Sequence, residues 1–214
     1  VVRLDAAGCA GDWRFASGLK KKDLPVISRR DALGAGSLAL LLAACQTPAA
    51  PRALPEDGTI DLLTLLRGKP EHRRFAALLA VSGAATRLGM RNGAVTLFAP
   101  TNEGFNSLPA PTLALLDNPP ANPTEAQRAL LQPIAFANAA FGQLRLQDIA
   151  ARRNVVVTWD RARLNVQPTG GRTATLAREG VTLAGGRAPV AITRGDVLAA
   201  DGVFHVTNGP VLPS

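Results

Sequence analysis

Beyond residue 58 the apolar positions fall first into helical and then into strand spacing. Ile60, Leu62, Leu63, Leu65 and Leu66 follow Gly58-Thr59 and predict a first helix ending near Gly68, with Thr59 as N-cap and Asp61 near the positive end of its dipole. Phe75, Leu78, Leu79 and Val81 recur at helical intervals, and 84–88 continues helically after Gly83 until Asn92-Gly93 breaks the pattern. Residues 94–98 read as a short strand ended by Ala99-Pro100, and helical stretches follow around 102–108, 112–116 and 124–131. From Asn154 the pattern changes. The runs 155–159, 162–166, 181–183, 190–193 and 204–207 are short and rich in β-branched residues, and Gly170-Gly171 and Gly185-Gly186 mark turns between them. Helices before strands predict an α+β domain, with helices packed to one side or end of a mainly antiparallel sheet. No unit repeats within the chain.

Residues 1–44 read as an address rather than a fold. Ser28-Arg29-Arg30-Asp31-Ala32-Leu33 leads into an uncharged stretch, 34–45, of about a dozen residues, shorter than the roughly 20 a spanning helix needs and suited to a signal-peptide core. The pair Arg29-Arg30 before a Gly/Ala-rich core resembles a twin-arginine export signal, the alternative being an ordinary secretory signal with two arginines in its basic region. Leu42-Ala43-Ala44-Cys45 resembles the bacterial lipobox. That resemblance implies lipid on the Cys45 thiol, a mature chain beginning at Cys45, and attachment to a membrane surface by several acyl chains. Gln46 after the cysteine implies, by the same resemblance, sorting to an outer membrane. The Pro/Ala-rich stretch 46–55 cannot continue a helix and reads as a tether. The basic region upstream is long and holds Lys20-Lys21-Lys22, which suggests that translation begins near Val26; a genuine long basic region is the alternative. The organisation expected is a signal peptide with a doubtful extension over 1–44, a lipidated tether over 45–57 and a domain over 58–213.

Composition narrows the picture. The 214 residues are 47% hydrophobic, enough for one domain with a real core. Aromatics make up only 4% and tyrosine is absent, so Leu, Val, Ile and Ala with seven Phe must fill that core, and a stacking platform for nucleic acid is excluded. The net charge is +8, but residues 1–44 hold seven of the 24 Lys/Arg and four of the 16 Asp/Glu, so the remainder carries about +5 as scattered Arg. Cys9 and Cys45 both precede the domain, so it must fold without a disulfide.

Two motifs then carry a family resemblance. Thr96-Leu97-Phe98-Ala99-Pro100-Thr101-Asn102-Glu103-Gly104-Phe105 resembles the first motif of fasciclin-like domains, and Asp201-Gly202-Val203-Phe204-His205-Val206-Thr207-Asn208-Gly209-Pro210-Val211-Leu212-Pro213 resembles their closing motif. The resemblance covers about 58–213. It implies a compact β-sandwich or wedge with helices around it, and a role as an extracellular adhesion or matrix-binding module. Within the motifs the residues expected to fix structure are Thr96, Phe98, Pro100, Thr101, Asn102, Phe105, Gly202, His205 and Pro213. The Phe98-Ala99-Pro100 segment reads as a strand-to-helix corner, with Thr101 or Asn102 accepting an N–H of the following helix. A tyrosine-histidine pair linked to adhesion in the family aligns with Pro133-Ile134, which offers neither group. Asp196-Val197 resembles a receptor-contact segment of animal relatives and is the candidate partner-binding site; the structural alternative is a turn cap at Asp196 with Val197 in the core.

Catalytic chemistry finds no footing. There is no G-x-S-x-G elbow, phosphate-binding glycine loop or dinucleotide fingerprint, and Ser82, Ser107 and Ser214 have no base nearby in sequence. The carboxylates of Asp196 and Asp201, five apart, read as turn or cap groups rather than an acid/base pair. His205 in a strand reads as a hydrogen-bonded structural residue, and His72, beside Glu71, Arg73 and Arg74, as solvent-facing. Two histidines and no cysteine within the domain give no metal set, and no cofactor is expected. The expectation is a monomeric, non-catalytic, exported module, lipid-anchored at the cell envelope on its periplasmic or outer-membrane face and binding a protein or glycan. The alternative is a periplasm-facing small-molecule carrier or an accessory subunit of a membrane enzyme.

Overall fold

The computed structural model describes residues 53–89, 94–180 and 189–213. Arg29, Arg30, Cys45, the proposed start at Val26, the Asn92-Gly93 break, the run 181–183 and the Gly185-Gly186 turn lie outside the described residues. Helices α1 (Leu62–Arg67), α2 (Arg73–Val81) and α3 (Ala84–Gly89) come first, with a 3-10 turn Pro70–His72 before α2. Strand β1 (Val95–Pro100) then leads through a 3-10 turn, Glu103–Ser107, to α4 (Ala110–Asp117) and α5 (Glu125–Ala137). After these come β2 (Ala139–Phe141), α6 (Leu146–Ala151), β3 (Val155–Val157), β4 (Arg163–Gly170), β5 (Thr173–Arg178), β6 (Val190–Ala199) and β7 (Gly202–Thr207).

All seven strands belong to one sheet of order β2-β1-β7-β6-β5-β4-β3. Neighbours are antiparallel except β1 and β7, which run parallel from Val95↔Gly202 to Pro100↔Thr207. The two edge strands meet, because Ala140 bridges Thr158 and the Trp159 N–H donates to the Ala139 carbonyl at 2.7 Å. The sheet is therefore mainly antiparallel, as the element pattern predicts, but mixed through the β1–β7 pair, and it curls almost into a barrel with helices packed on it. Near-closure removes most of the exposed edge that an open sheet would present.

Apolar side chains divide between the two faces of this sheet. On β1, Leu97 and Ala99 join α1, α2 and Phe105 in one core, while Phe98 turns to the other face with Ile149, Val156, Leu164, Val166 and Ile192. Every residue of β1 is buried, since both faces are covered.

Several elements differ from the expected ones for identifiable reasons. The N-cap of α1 is Asp61, whose carboxylate accepts the Thr64 N–H at 2.8 Å, and not Thr59, whose hydroxyl donates to Asp57. Residues 54–57, expected to be tether, are held on the domain. Leu54 packs against the core, Glu56 pairs with both Lys69 and Arg194, and Asp57 bridges Leu198. β2 and α6 were not anticipated, because Ala139-Ala140-Phe141 has no β-branched residue and α6 spans only six positions. β5 follows the Gly170-Gly171 turn, where both glycines have positive φ. β6 runs through Gly195-Asp196, which read as a turn and is instead an irregularity in the β6–β7 ladder.

Candidate functional site

The two motifs pair with each other. Residues of the first form β1 and those of the last form β7, so segments about a hundred positions apart become one parallel rung set at the centre of the sheet. Gly202 makes this possible: a Cβ there would fall 2.0 Å from the Val95 carbonyl oxygen. His205 stands opposite Phe98 in the register, and their rings stack with centroids 5.7 Å apart.

His205 is fully buried and both ring nitrogens are used. Nδ1 accepts the Asp196 N–H at 3.1 Å and Nε2 lies 2.9 Å from the Leu144 carbonyl. A carbonyl only accepts, so the ring is neutral with its proton on Nε2. Burial pushes its pKa below the ordinary histidine value, outweighing the upward pull of the Leu144 carbonyl and the Asp196 carboxylate. His72 is not solvent-facing as the charged neighbours suggested. It is 1% exposed, donates from Nδ1 to the Pro100 carbonyl at 3.0 Å and packs edge-on against Phe204, and burial likewise lowers its pKa.

The remaining motif residues are also committed to the fold. Thr96 donates to the Gly142 carbonyl at 2.7 Å and accepts the Leu144 N–H at 2.9 Å. Asn102 does not cap its own helical turn with its side chain. Its Oδ1 accepts the Arg74 N–H at 3.0 Å, in the first turn of α2, and its Nδ2 donates to the Pro70 carbonyl. Arg74 in turn grips Asp117 with two bonds of 2.7 and 2.9 Å, which lowers the Asp117 pKa. The Thr101 N–H donates to the Thr207 carbonyl, Phe105 is fully buried, and Pro213 is half-buried near the chain end.

Asp196 and Val197 do not form an outward-facing pair. Val197 is wholly buried in the core, leaving its side chain nothing to offer a partner. Asp196 sits in the left-handed region at φ 58°, and its Oδ1 accepts the Leu146 N–H, the first of α6, at 2.8 Å. Arg172 donates to its carbonyl. Asp201 acts in parallel, accepting the Leu62 N–H, the first of α1, at 2.8 Å. Asn138, which the sequence reading passed over, is fully buried. It fastens the C-terminal segment through Nδ2 to the Val211 carbonyl and Oδ1 from the Val211 N–H.

What the motifs leave open to solvent is a groove of about 360 Å³ at the Pro100/Thr207 end of the central pair. Glu103, Gly104 and Ser107 form one wall, Asn208, Gly209, Pro210 and Leu212 the other, with Pro189 and Val190 beside them. The walls touch at Gly104, where a Cβ would lie 2.5 Å from the Asn208 carbonyl oxygen. Asn208 is held from behind, since its N–H and Oδ1 bond the Ala191 backbone as a strand residue would. Among the described residues no group of three or more His, Cys, Asp or Glu comes together to hold a metal ion. No described helix is long and apolar enough to cross a membrane.

A curled mixed sheet in which the first and last motifs pair side by side, with helices packed on both of its faces and an open groove at the motif end, defines a small α+β domain. The family model of the fasciclin domain matches residues 70–213, and the chain belongs to that family. Among solved structures it is similar to a FAS1 domain pair from the insect cell adhesion molecule fasciclin I. The TM-score is 0.52 and the identity 16%, over 72% of this chain and 51% of that one, so the chain spans about half that structure's length. No curated protein matches the chain. Fasciclin domains are in general non-catalytic cell-adhesion modules, typically extracellular or secreted.

Proposed function

We propose that this chain is a non-catalytic adhesion module, lipid-anchored through Cys45 at the cell envelope, that engages a protein or glycan through the groove between its two motifs. The observation that carries this reading is the groove itself. Both motifs present side chains to solvent there, its walls mix Glu103, Ser107 and Asn208 with the apolar surface of Pro189, Val190, Pro210 and Leu212, and its two walls meet in close backbone contact at Gly104. A polar-rimmed open surface suits an extended partner, whereas a carrier of small molecules needs an enclosed and mainly apolar chamber. The reading leaves Asp196 and Val197 out of the contact surface.

The test is adhesion of the full-length protein, displayed on beads, to intact envelopes. Ser107→Trp fills the groove and Glu103→Lys inverts its charge, both at exposed positions; each is expected to cut retention about tenfold, the effect of losing roughly 1.4 kcal/mol of binding. Retention unchanged in both variants would remove the groove from the contact. The anchor is tested separately, by labelling with a radioactive fatty acid, which Cys45→Ser should abolish because a hydroxyl does not replace the thiolate nucleophile.

A further inference from the structure

The seam where β2 meets β3 carries the largest exposed apolar side chains of the described residues, and it lies at the opposite end of β1 from the groove. Phe141 and Val157 are 38% and 47% exposed and neighbour each other across the seam, one position along from the Ala140–Thr158 bridge. α5 adds exposed Pro133, one turn before Phe136 on the same helix face, and Leu130, 49% exposed, one turn before Pro133. Trp159 joins the two groups, with Phe136 edge-on at 5.7 Å and Phe141 tilted at 6.4 Å.

Cations border this surface. The Arg87 guanidinium lies over the Phe136 ring at 5.0 Å and over the Trp159 ring at 5.2 Å. Arg163 is the ladder partner of Val157, Arg161 is exposed in the β3–β4 turn, and Arg128 is exposed on α5. The nearby carboxylates are engaged: Glu179 pairs with Arg163, and Asp160 with the nearly buried Arg178. Among the described residues Arg87, Arg128 and Arg161 have no carboxylate partner.

We infer that this seam is a membrane-docking face that rests on anionic lipid, with Phe141 and Val157 in the interface and the arginines among the phosphates. Aromatic rings backed by arginine, next to aliphatic side chains, match the chemistry of a bilayer interface, where each group keeps its polar end in the headgroups. The position of the chain's entry agrees. Asp57 bridges Leu198, and the row Ala199, Gly202, Val95, Phe141 crosses β6, β7, β1 and β2, so the first described residues and Phe141 share one end of the sheet. Four strand spacings separate Asp57 from Phe141 along the sheet, about 19 Å. The eight steps from Cys45 to residue 53, where the chain joins the domain, span at most about 29 Å. Lipid on Cys45 would hold the seam within reach of the same surface, so a modest patch suffices. Docking there would turn the groove outward. The inference rests on the anchored reading for that proximity alone.

The test uses the full chain in a Trp13→Phe background, which leaves Trp159 as its single tryptophan. The protein is reconstituted into phosphatidylglycerol vesicles carrying bromine near the headgroup end of the acyl chains, and in parallel into brominated phosphatidylcholine. Trp159 fluorescence is expected to fall about twofold in the anionic vesicles and much less in the zwitterionic ones, with recovery on raising salt. Phe141→Ser with Val157→Ser, and separately Arg87→Glu with Arg161→Glu, should restore it; circular dichroism melting verifies that each variant is folded. Flotation of the same samples reports the anchor independently. Protein that floats while Trp159 is equally bright in brominated and plain lipid overturns the docking face and leaves the anchor standing. Protein that does not float but is quenched in anionic vesicles supports the face and counts against the anchor. Quenching that is equal in both lipids, or a signal that follows protein concentration rather than lipid, overturns the inference in favour of uncharged insertion or contact between copies.

Discussion

Asp196 and Asp201 stand five residues apart in sequence, and each carboxylate receives the first N–H of a helix from elsewhere in the chain, Leu146 of α6 and Leu62 of α1. Sequence shows two carboxylates fit for capping. It cannot show their targets, which lie 50 and 139 positions away. Asp196→Ala is therefore expected to lose about 0.5–2 kcal/mol, a helix cap's usual worth, with adhesion to envelopes intact. Asp196→Asn keeps an acceptor and tolerates the left-handed backbone, so it should lie within about 0.5 kcal/mol of the parent in urea unfolding. Loss of adhesion by Asp196→Ala without loss of stability would instead return Asp196 to the contact surface. The histidines give a second residue-scale expectation. Both have lowered pKa values in the fold through burial, so the unfolded chain takes up protons as the pH drops through about 6.5 while the folded chain resists. Their contribution is complete above that pH and falls away below it. The carboxylates of Asp61 and Asp117, lowered by hydrogen bonds to the Thr64 N–H and to Arg74 respectively, add their own loss only below about pH 3.8. Melting temperature should thus already fall between pH 6.5 and 5, and the fall should flatten in His205→Gln. A parent whose melting is level across that range would show that the folded histidines titrate normally.

At the scale of elements, the central β1–β7 pair is what the rest of the domain is built on. Its two strands are legible in the sequence because each lies within a motif and carries a run of Val, Leu or Phe broken by few polar residues. That they pair in parallel was not legible, since nothing local fixes the partner of a buried strand. The short elements β2 and α6 escape the pattern for a different reason: the three residues of β2 are alanine-rich with no β-branched position and α6 is under two turns long, and they are held in place from outside by Thr96, Asp196 and the seam. β7 also refines the effect of substitution. Val206 is only half-buried, whereas Phe204 is fully buried between α1, α2 and β1, so Phe204→Ala should cost about 3–5 kcal/mol and exceed Val206→Ala clearly. Gly202→Ala sets a side chain into the Val95 carbonyl and should cost at least the roughly 1–3 kcal/mol of an overpacked core. Thermal melts of these three variants order the pair; a Gly202→Ala domain as stable as the parent would mean that the strands can separate without harm.

For the molecule as a whole, two motifs at opposite ends of one domain point to the fold because they pair side by side inside its one sheet, bringing the start and the end of the domain together. The start of the domain is harder to read from sequence. The Pro/Ala composition of 46–55 marked a tether and the first apolar helix marked the start of the domain, so the stretch between was assigned to neither packing nor pairing. In the structure Glu56 is shared by Lys69 and Arg194, Asp57 adds a parallel bridge to β6, and Leu54 packs where it would touch any Cβ added at Gly68. These contacts tie the entry of the chain to α1 and to the β6–β7 hairpin at once. A fragment beginning at residue 58 loses all of them, and one beginning at 53 keeps them. The shorter fragment is expected to be less stable by about 1 kcal/mol, since Leu54 is half-buried and full burial of a leucine is worth about 1.5–3 kcal/mol, with little added by the partly exposed ion pairs. Urea unfolding of the two fragments, with and without reductant, measures this directly. Reductant should change neither curve, since both cysteines lie outside the fragments. Equal midpoints would mean that 53–57 merely lies on the domain, and would move its boundary back to residue 58.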